Sequence, residues 1–428
     1  TKVNGKRPCD FLIVRVGIAT GLIVVTGLSS FQIACWTRTW TEMAAMDWIV
    51  SQGIMGALPL LIVAFAILVK CADWMVEGAV DLARRLRIPP IMIGLVIVSI
   101  GTTAPELAVS VQAALAGKAE LALGNAVGSV IYDDGIALPL VALLSPVVVL
   151  IDRVVLRSAA VFLVVAHVGA YWMSADGTLS RGEGAVLLAG FFLYLGFAYW
   201  EQKHGHPVMT EEVDFDTEPR SWPKILGLLL IGLVGVLISS EGIVKAAPVL
   251  AFAAGVSDAI VSLVVVALGT SIPEIATCVT AARKSQGSLA VGNILGADIL
   301  NICWIAGASA MVQDLVVPKD VIHFMFPAML IIVFTMLGLM RWGHRFEPWK
   351  GYVLLCMCAI YIVALLVINP GATPMMYSRS SMGSVSARMP PALGLVPTTL
   401  NTLEALVGAP GTGKTSLARG LANRTAAA

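Results

Sequence analysis

Ten runs of about 20 mostly apolar residues follow one another through residues 54 to 369, and each is long enough to cross a hydrocarbon layer as a helix. They fall near 54–80, 90–115, 121–145, 154–174, 184–200, 224–250, 258–282, 289–312, 321–340 and 351–369. Charged residues make up 13% of the chain, against about a quarter in soluble domains. The 428 residues therefore read as one all-α polytopic membrane domain with short tails, not as two or three soluble domains. A net charge of +1 gives no global field for nucleic acid. The seven cysteines, Cys9, Cys35, Cys71, Cys278, Cys303, Cys356 and Cys358, form no CxxC pair. They read as small apolar thiols packed between helices, not as a disulfide framework or a zinc site.

Charge sets an orientation. Thirteen basic residues fall on one side of a ten-span arrangement: Arg84, Arg85, Arg87, Arg153, Arg157, Lys203, Arg220, Lys224, Arg283, Lys284, Arg341, Arg345 and Lys350. Five fall on the other: Arg38, Lys118, Arg181, Lys245 and Lys319. The excess marks the cytoplasmic side and puts both ends of the ten-span core outside. The domains that follow are an N-terminal extension, 1–50, and a first five-helix unit, 51–200. A polar cytoplasmic loop, 201–223, leads to a second five-helix unit, 224–370, and a tail, 371–428. The extension carries one more apolar run, 11–35, read as a signal-like segment or an extra span. The polar loop lacks calcium-loop spacing and reads as a linker rather than a cation sensor. The tail is rich in Ser, Pro, Gly and Met and reads as disordered linker.

The two halves are copies. Adding 168 to a residue number carries Gly101, Thr102, Pro105, Glu106 and Ala108 onto Gly269, Thr270, Pro273, Glu274 and Ala276. The same shift carries Leu121, Ala122, Gly124, Asn125, Gly128 and Ile131 onto Leu289, Ala290, Gly292, Asn293, Gly296 and Ile299, without a gap. Each half has an odd number of spans, so the second enters the membrane upside down. Inverted repeats of this kind place a shared site near the bilayer midplane.

The duplicated segment joins a proline to an acid inside an apolar run. Proline removes one intrahelical hydrogen bond and displaces the carbonyl a turn earlier, loosening the backbone around Ser99–Gly101 and Ala267–Gly269. Such carbonyls are tolerated in lipid only where they line a cavity or hold a ligand. Thr102, Thr103 and Glu106 share a helix face by their spacing. On the next helix Ser129 and Asp133 share a face, with Asn125 a turn earlier; the matching positions are Ala297, Asn301 and Asn293. Gly124, Gly128, Gly292 and Gly296 are expected to let helices approach closely. Carbonyl, hydroxyl and carboxylate oxygens are what calcium and sodium take as ligands. One such acid is equally a structural hydrogen-bonder; two copies in opposed orientation favour a cation site. His167 reads as a packed or interfacial histidine, while His204 and His206 lie in the polar loop. Asp73, Glu77 and Glu241 read as an access route or as interfacial groups.

At these residues the sequence resembles the cation/calcium exchanger superfamily, and most of all its prokaryotic sodium/calcium exchangers. The resemblance covers about residues 54–369. It implies two inverted five-helix repeats, antiport of calcium against sodium, no cofactor, and a prokaryotic plasma membrane. The implied ion ligands are Thr102, Thr103, Glu106, Ser129 and Asp133 in the first half, and Thr270, Ser271, Glu274 and Asn301 in the second. The carbonyls of Ser99 and Ala267 complete the set. Four positions depart from the family pattern. Thr103 replaces a Ser, Asp133 stands where Asn is usual, Asn301 where Asp is usual, and Ala297 where a hydroxyl is usual. Asp134 is an acid outside that pattern.

Near the end, "GAPGTGKTS" (Gly408 to Ser416) matches a phosphate-binding loop in full. Only 12 residues follow it, too few for a magnesium-binding acidic strand or a sheet, so ATP is not an expected partner. Calcium/sodium exchange is thus the expected function, and calcium/proton exchange the alternative. An ATP-driven pump and a passive cation channel rank below both.

Overall fold

The computed structural model describes residues 44–115, 117, 119–204, 218–254 and 269–368. The apolar run 11–35, most of the polar loop, most of the run 258–282, and the tail with its phosphate-loop match lie outside the described residues. The described chain is almost wholly helical. A short helix α1 (Ala44–Ser51) precedes α2 (Ile54–Leu86), α3 (Pro90–Leu115), α4 (Leu121–Leu144), α5 (Arg153–Met173) and α6 (Arg181–His204). The second half contributes α7 (Trp222–Ala253), α8 (Ile272–Arg283), α9 (Gly287–Val312), α10 (Val321–Arg341) and α11 (Pro348–Ile368). Among the described residues nine helices are long and apolar enough to cross a membrane. They match nine of the ten expected runs; α8 is the described end of the tenth.

Burial follows the helix order. The outer helices α2, α7 and α11 turn large apolar side chains outward, among them Phe65, Ile231 and Ile360. In α9 the most apolar stretch is buried throughout. Apolar groups facing outward are the normal solution when the solvent is lipid. Helices α2 and α7, 33 and 32 residues long, exceed the roughly 20 residues that a perpendicular crossing needs. They pack along each other through small residues. A Cβ on Gly232 would lie 2.6 Å from the Met75 nitrogen, and one on Gly78 would lie 2.9 Å from Leu229.

The centre is tighter still. A Cβ on Gly292 would lie 2.1 Å from the Ile91 carbonyl oxygen, and one on Gly296 2.3 Å from that of Leu95. On the facing helix, a Cβ on Gly94 would lie 2.2 Å from the Leu289 oxygen. So α3 and α9 meet backbone to backbone, as expected at Gly292 and Gly296. The expectation does not extend to Gly124 and Gly128. Among the described residues an added Cβ at Gly124 meets nothing within 4 Å, and at Gly128 only the Met325 methyl at 3.9 Å.

Two short antiparallel ribbons close the two ends. β1 (Val149–Leu150) pairs with β4 (Arg345–Phe346), and β2 (Thr178–Leu179) pairs with β3 (Leu315–Val316). Helix α5 separates β1 from β2 and α10 separates β3 from β4, so the ribbons sit at opposite ends of the bundle. At the β1·β4 end the basic residues gather. Burial and then the charges of Arg153 and Arg341 hold the His344 imidazole below its ordinary pKa. Gly287 lies against Val149, which carries the loop with Lys284 to the same end. There Lys284 pairs with Asp73 and with Glu77 at 3.0 Å, and Arg220 pairs with Glu77 and Asp81 at 2.9 Å each. Glu77, Asp81, Arg220 and Lys284 line a cleft of about 360 Å³. At the far end of α7, Lys245 pairs with Asp47 at 2.6 Å and Glu241 at 3.6 Å. Asp73, Glu77 and Glu241 are thus ion-pair partners. His167 is buried, with Nδ1 donating to the Leu163 carbonyl at 2.7 Å. Cys71, Cys278, Cys303 and Cys358 are buried thiols, whereas Cys356 is exposed.

The α3–α9 contact yields a test. Gly292→Val should destabilise the fold by about 1–3 kcal/mol or more through overpacking against backbone. Gly338→Ala, at a helix position with open space around it, should be neutral or stabilising. Thermal melts of the detergent-solubilised protein compare the two.

Candidate cation site

The two copies of the proline–acid segment fold differently. In α3 a wide π-helical turn, Gly94–Val98, precedes a stretch that runs unbroken through Pro105. The irregular turn therefore lies one turn N-terminal of the expected Ser99–Gly101. Thr102 shapes the next turn: its hydroxyl donates to the Val98 carbonyl at 3.2 Å and lies 3.4 Å from that of Ser99. In the second half the backbone bends at Thr270–Ser271 and restarts as α8 at Ile272, with Pro273 in the first turn. Glu274 is therefore a first-turn residue, where free backbone N–H groups favour a negative charge. Ala267 lies outside the described residues. The wide turns Asp133–Ala137 in α4 and Leu300–Ala306 in α9 carry Asp133 and Asn301. Such π-helical turns concentrate at functional sites.

These segments converge. Glu106, Glu274 and Asp133 are each 1% exposed. Thr103 of the first half donates to Glu274 Oε1 of the second at 3.3 Å, and Thr102 lies against the same carboxylate. Asn301 Nδ2 donates to Asp133 Oδ2 at 3.5 Å, and the Ser271 hydroxyl lies beside Asp133. Asn301 and Asp133 are 168 positions apart, so equivalent residues of the two halves touch each other. Asn125 Nδ2 donates to Ser110 at 3.0 Å, and Asn293 Nδ2 approaches the Cys278 sulfur at 3.4 Å, so both fix neighbouring helices.

What stays unsatisfied is as informative as what is bonded. Glu106 Oε2, Glu274 Oε2, Asp133 Oδ1, Asn301 Oδ1, Ser129 Oγ, Thr270 Oγ1 and Ser271 Oγ are buried and without a hydrogen-bond partner among the described residues. Buried polar atoms in folded proteins almost always have partners. These seven belong to residues expected as ligands; other buried polar atoms, among them those of Asp134, Asp298 and Ser309, also lack a partner among the described residues. Among the described residues no three His, Cys, Asp or Glu side chains come close enough to hold a metal ion between them. Carboxylates alone do not form a cage, so hydroxyl, amide and backbone oxygens must complete any coordination shell. Sequence reasoning missed Asp298, a fully buried acid in α9. The signal was present, since Asp298 interrupts an apolar run where the first half has Val130.

A helical bundle with apolar outer faces and orphaned hard oxygens at its centre is an integral membrane protein of the ion-carrier class. The sodium/calcium exchanger protein family matches residues 56–200 and 224–367, and the chain belongs to that family. By family it is a cation/calcium antiporter. It is similar to the putative antiporter CaxA of Alkalimonas amylolytica, 36% identical over 256 residues, 59% of this chain and 79% of that protein. It is also similar to the inner membrane protein YrbG of Escherichia coli, 33% identical over 304 residues, 69% of this chain and 91% of that one. In structure it resembles the sodium-calcium exchanger NCX_Mj with a TM-score of 0.62 and 28% identity, over 72% of this chain and 98% of that chain.

The Asp133–Asn301 contact makes a prediction. Asp133→Asn removes a charge and sets two amides face to face, and should weaken calcium binding by about tenfold or more. The exchange variant D133N/N301D keeps both the charge and the amide–carboxylate contact, and should bind within about threefold of the parent. Calorimetric titration with calcium separates the two.

Proposed function

We propose that the chain exchanges calcium for sodium by alternating access around a site centred on Glu106 and Glu274. Asp133 supplies the third carboxylate. Thr102, Thr103, Ser129, Thr270, Ser271 and Asn301, with the carbonyls of Ser99 and Ala267, supply neutral oxygens. The observation that carries this reading is the meeting of equivalent residues from the two halves amid seven orphaned buried oxygens. Taking an unpaired carboxylate out of water costs several kcal/mol. A cation that enters and sheds its water offsets that cost, and calcium takes six to eight oxygens. Sodium ions compete for the same oxygens, so the two cargoes occupy the site in turn.

The same reading makes the fold ten spans in two inverted repeats. The end ribbons support it. The shift of 168 carries β1 to within two residues of β3, and β2 to within one of β4. The β1·β4 ribbon thereby maps onto β3·β2 at the opposite end, as a twofold axis in the membrane plane requires. The gathering of basic residues at the β1·β4 end supports a cytoplasmic location for it. A prokaryotic inner membrane fits the bacterial and archaeal relatives.

Calcium/proton exchange is the second reading, because Ala297 offers no hydroxyl where the first half has Ser129. Vesicles holding the purified protein decide between them. A sodium gradient should drive calcium uptake and a pH gradient alone should not; uptake on the pH gradient alone would overturn the sodium assignment. Glu106→Gln or Glu274→Gln should each abolish uptake, while removal of residues 371–428 should leave it intact.

A further inference from the structure

The end of the bundle closed by β1·β4 carries charge that its own acids do not neutralise. Arg153, Arg157, Arg341 and Arg345 are exposed, and none has an Asp or Glu within ion-pair distance among the described residues. Other basic residues at that end differ: Arg84, Arg220 and Lys284 are each paired with acids of α2. The two acids nearest in sequence to the four arginines are engaged locally. Asp152 Oδ1 accepts from the Val155 N–H at 3.1 Å, and Glu347 Oε2 accepts from the Trp349 indole at 2.8 Å.

The ribbon gathers these arginines from two distant segments. Leu150 faces Arg345 across β1·β4, and the Ile151 N–H donates to the His344 carbonyl at 3.0 Å. The start of α5, with Arg153, therefore lies beside the turn between α10 and α11. Arg157 stands one turn further along the same face of α5. Within the α10–α11 turn, Arg341 donates to His344 Nε2 at 3.0 Å. The buried Lys350 ammonium donates to the carbonyls of Trp342 and Arg345, which fixes the turn from within. Trp342, 70% exposed, packs edge-on against the exposed Trp349, with ring centroids 5.6 Å apart.

An excess of basic residues is enough to orient a membrane protein, and that role needs no arrangement of the side chains. Here they are arranged, on a braced turn and beside two exposed indoles. The ribbon at the other end has the opposite sign: Arg181 and Lys319 stand among Asp176, Glu183, Asp314 and Asp320. Guanidinium groups hold phosphate oxygens in pairs, and basic clusters at the edge of spanning helices attract anionic lipid. A free phosphate would need the arginines alone. The indoles, which settle at the level of lipid headgroups, fit a ligand that also has an apolar part.

We propose that this face binds the headgroup of an anionic phospholipid, with its phosphate against Arg153, Arg341 and Arg345 and its glycerol region against Trp342 and Trp349. The choice of coupling ion does not enter. Native mass spectrometry of the purified, delipidated full chain would count bound phosphatidylglycerol and phosphatidylcholine, with glycerol phosphate as a headgroup without acyl chains. The parent should hold phosphatidylglycerol about tenfold more tightly than phosphatidylcholine, and R153Q/R345Q should bring the two within about twofold. R181Q/K319Q removes the same charge from the other end and should keep the preference. Equal binding of the two lipids by the parent would overturn the proposal, as would a preference that survives in folded R153Q/R341Q/R345Q. The arginines would then be an orientation signal only. Displacement of the lipid by glycerol phosphate would overturn it in favour of a soluble-phosphate site. A second measurement needs no variant. Screening falls from about 10 Å to about 3 Å between about 0.1 M and about 1 M salt, so the parent's preference should shrink several-fold over that range. A preference indifferent to salt would equally overturn it.

Discussion

Unpaired oxygens held in the dry centre of a lipid-facing bundle are the constraint on which this architecture rests. Glu106, Glu274 and Asp133 are almost fully removed from solvent, yet each keeps an oxygen without a partner among the described residues. Water would quench the field of these groups, so the surrounding packing has to exclude it. The backbone contact of α3 with α9 at Gly94, Gly292 and Gly296 does this beside the site. No side chain larger than hydrogen fits there. The same contact fixes the distance between the helices that carry Thr102 and Asn293, whose side-chain oxygens lie 3.5 Å apart.

The two halves are equivalent in sequence but not in local shape. The first runs through its proline as one helix after a wide turn, and the second restarts its helix just before the acid. Glu274 therefore sits on free N–H groups at a helix start, and two threonines of the other half reach it. Glu106 stands inside α3 rather than at a helix start, and no threonine hydroxyl donates to it among the hydrogen bonds of the described residues. The two acids thus differ in their surroundings: each has one oxygen without a partner among the described residues, but Glu274 is also held by Thr103 of the other half. The ends differ as well. Lys284, on the loop between α8 and α9, is tied to two acids of α2 at the basic end. At the other end Lys245 of α7 is tied to Asp47 of α1 and to its own helix. Half-exposed pairs of this kind are worth about 0–1 kcal/mol each.

Much of this was legible in the sequence because two strong signals act at long range. Apolar runs of spanning length fix helices, and a gapless duplication fixes which residues must be symmetric. Those signals led to Asp133 and Asn301 as a pair of equivalents, and the two touch. Features that break the duplication were harder to read. Asp298 has an apolar counterpart, so a search for matched positions passes over it. Gly124 and Gly128 look like Gly292 and Gly296 but lack their close contacts among the described residues. Lys350 is almost fully buried at the basic end, its ammonium donating to the carbonyls of Trp342 at 2.5 Å and Arg345 at 2.6 Å. Nothing in its charge or spacing sets it apart from the exposed lysines. The end ribbons are two residues per strand, too short for any alternation to show.

A carrier also has to let its cargo go, and the balance of bonded and free oxygens bears on that. Were every ligand satisfied by protein donors, the empty site would be stable and a cation would have to break those bonds to bind. Were none satisfied, the acids would repel and the helices would part. Here Thr103 and Asn301 satisfy one oxygen each, on Glu274 and on Asp133, and leave the second oxygen without a partner among the described residues. Each hydrogen bond of this type contributes about 0.5–1.5 kcal/mol net, rising to about 3 with a charged partner. That is enough to hold a carboxylate in place and far less than its desolvation cost. The site is therefore kept in shape but not at rest, and under the exchange proposed above an incoming ion would supply the difference.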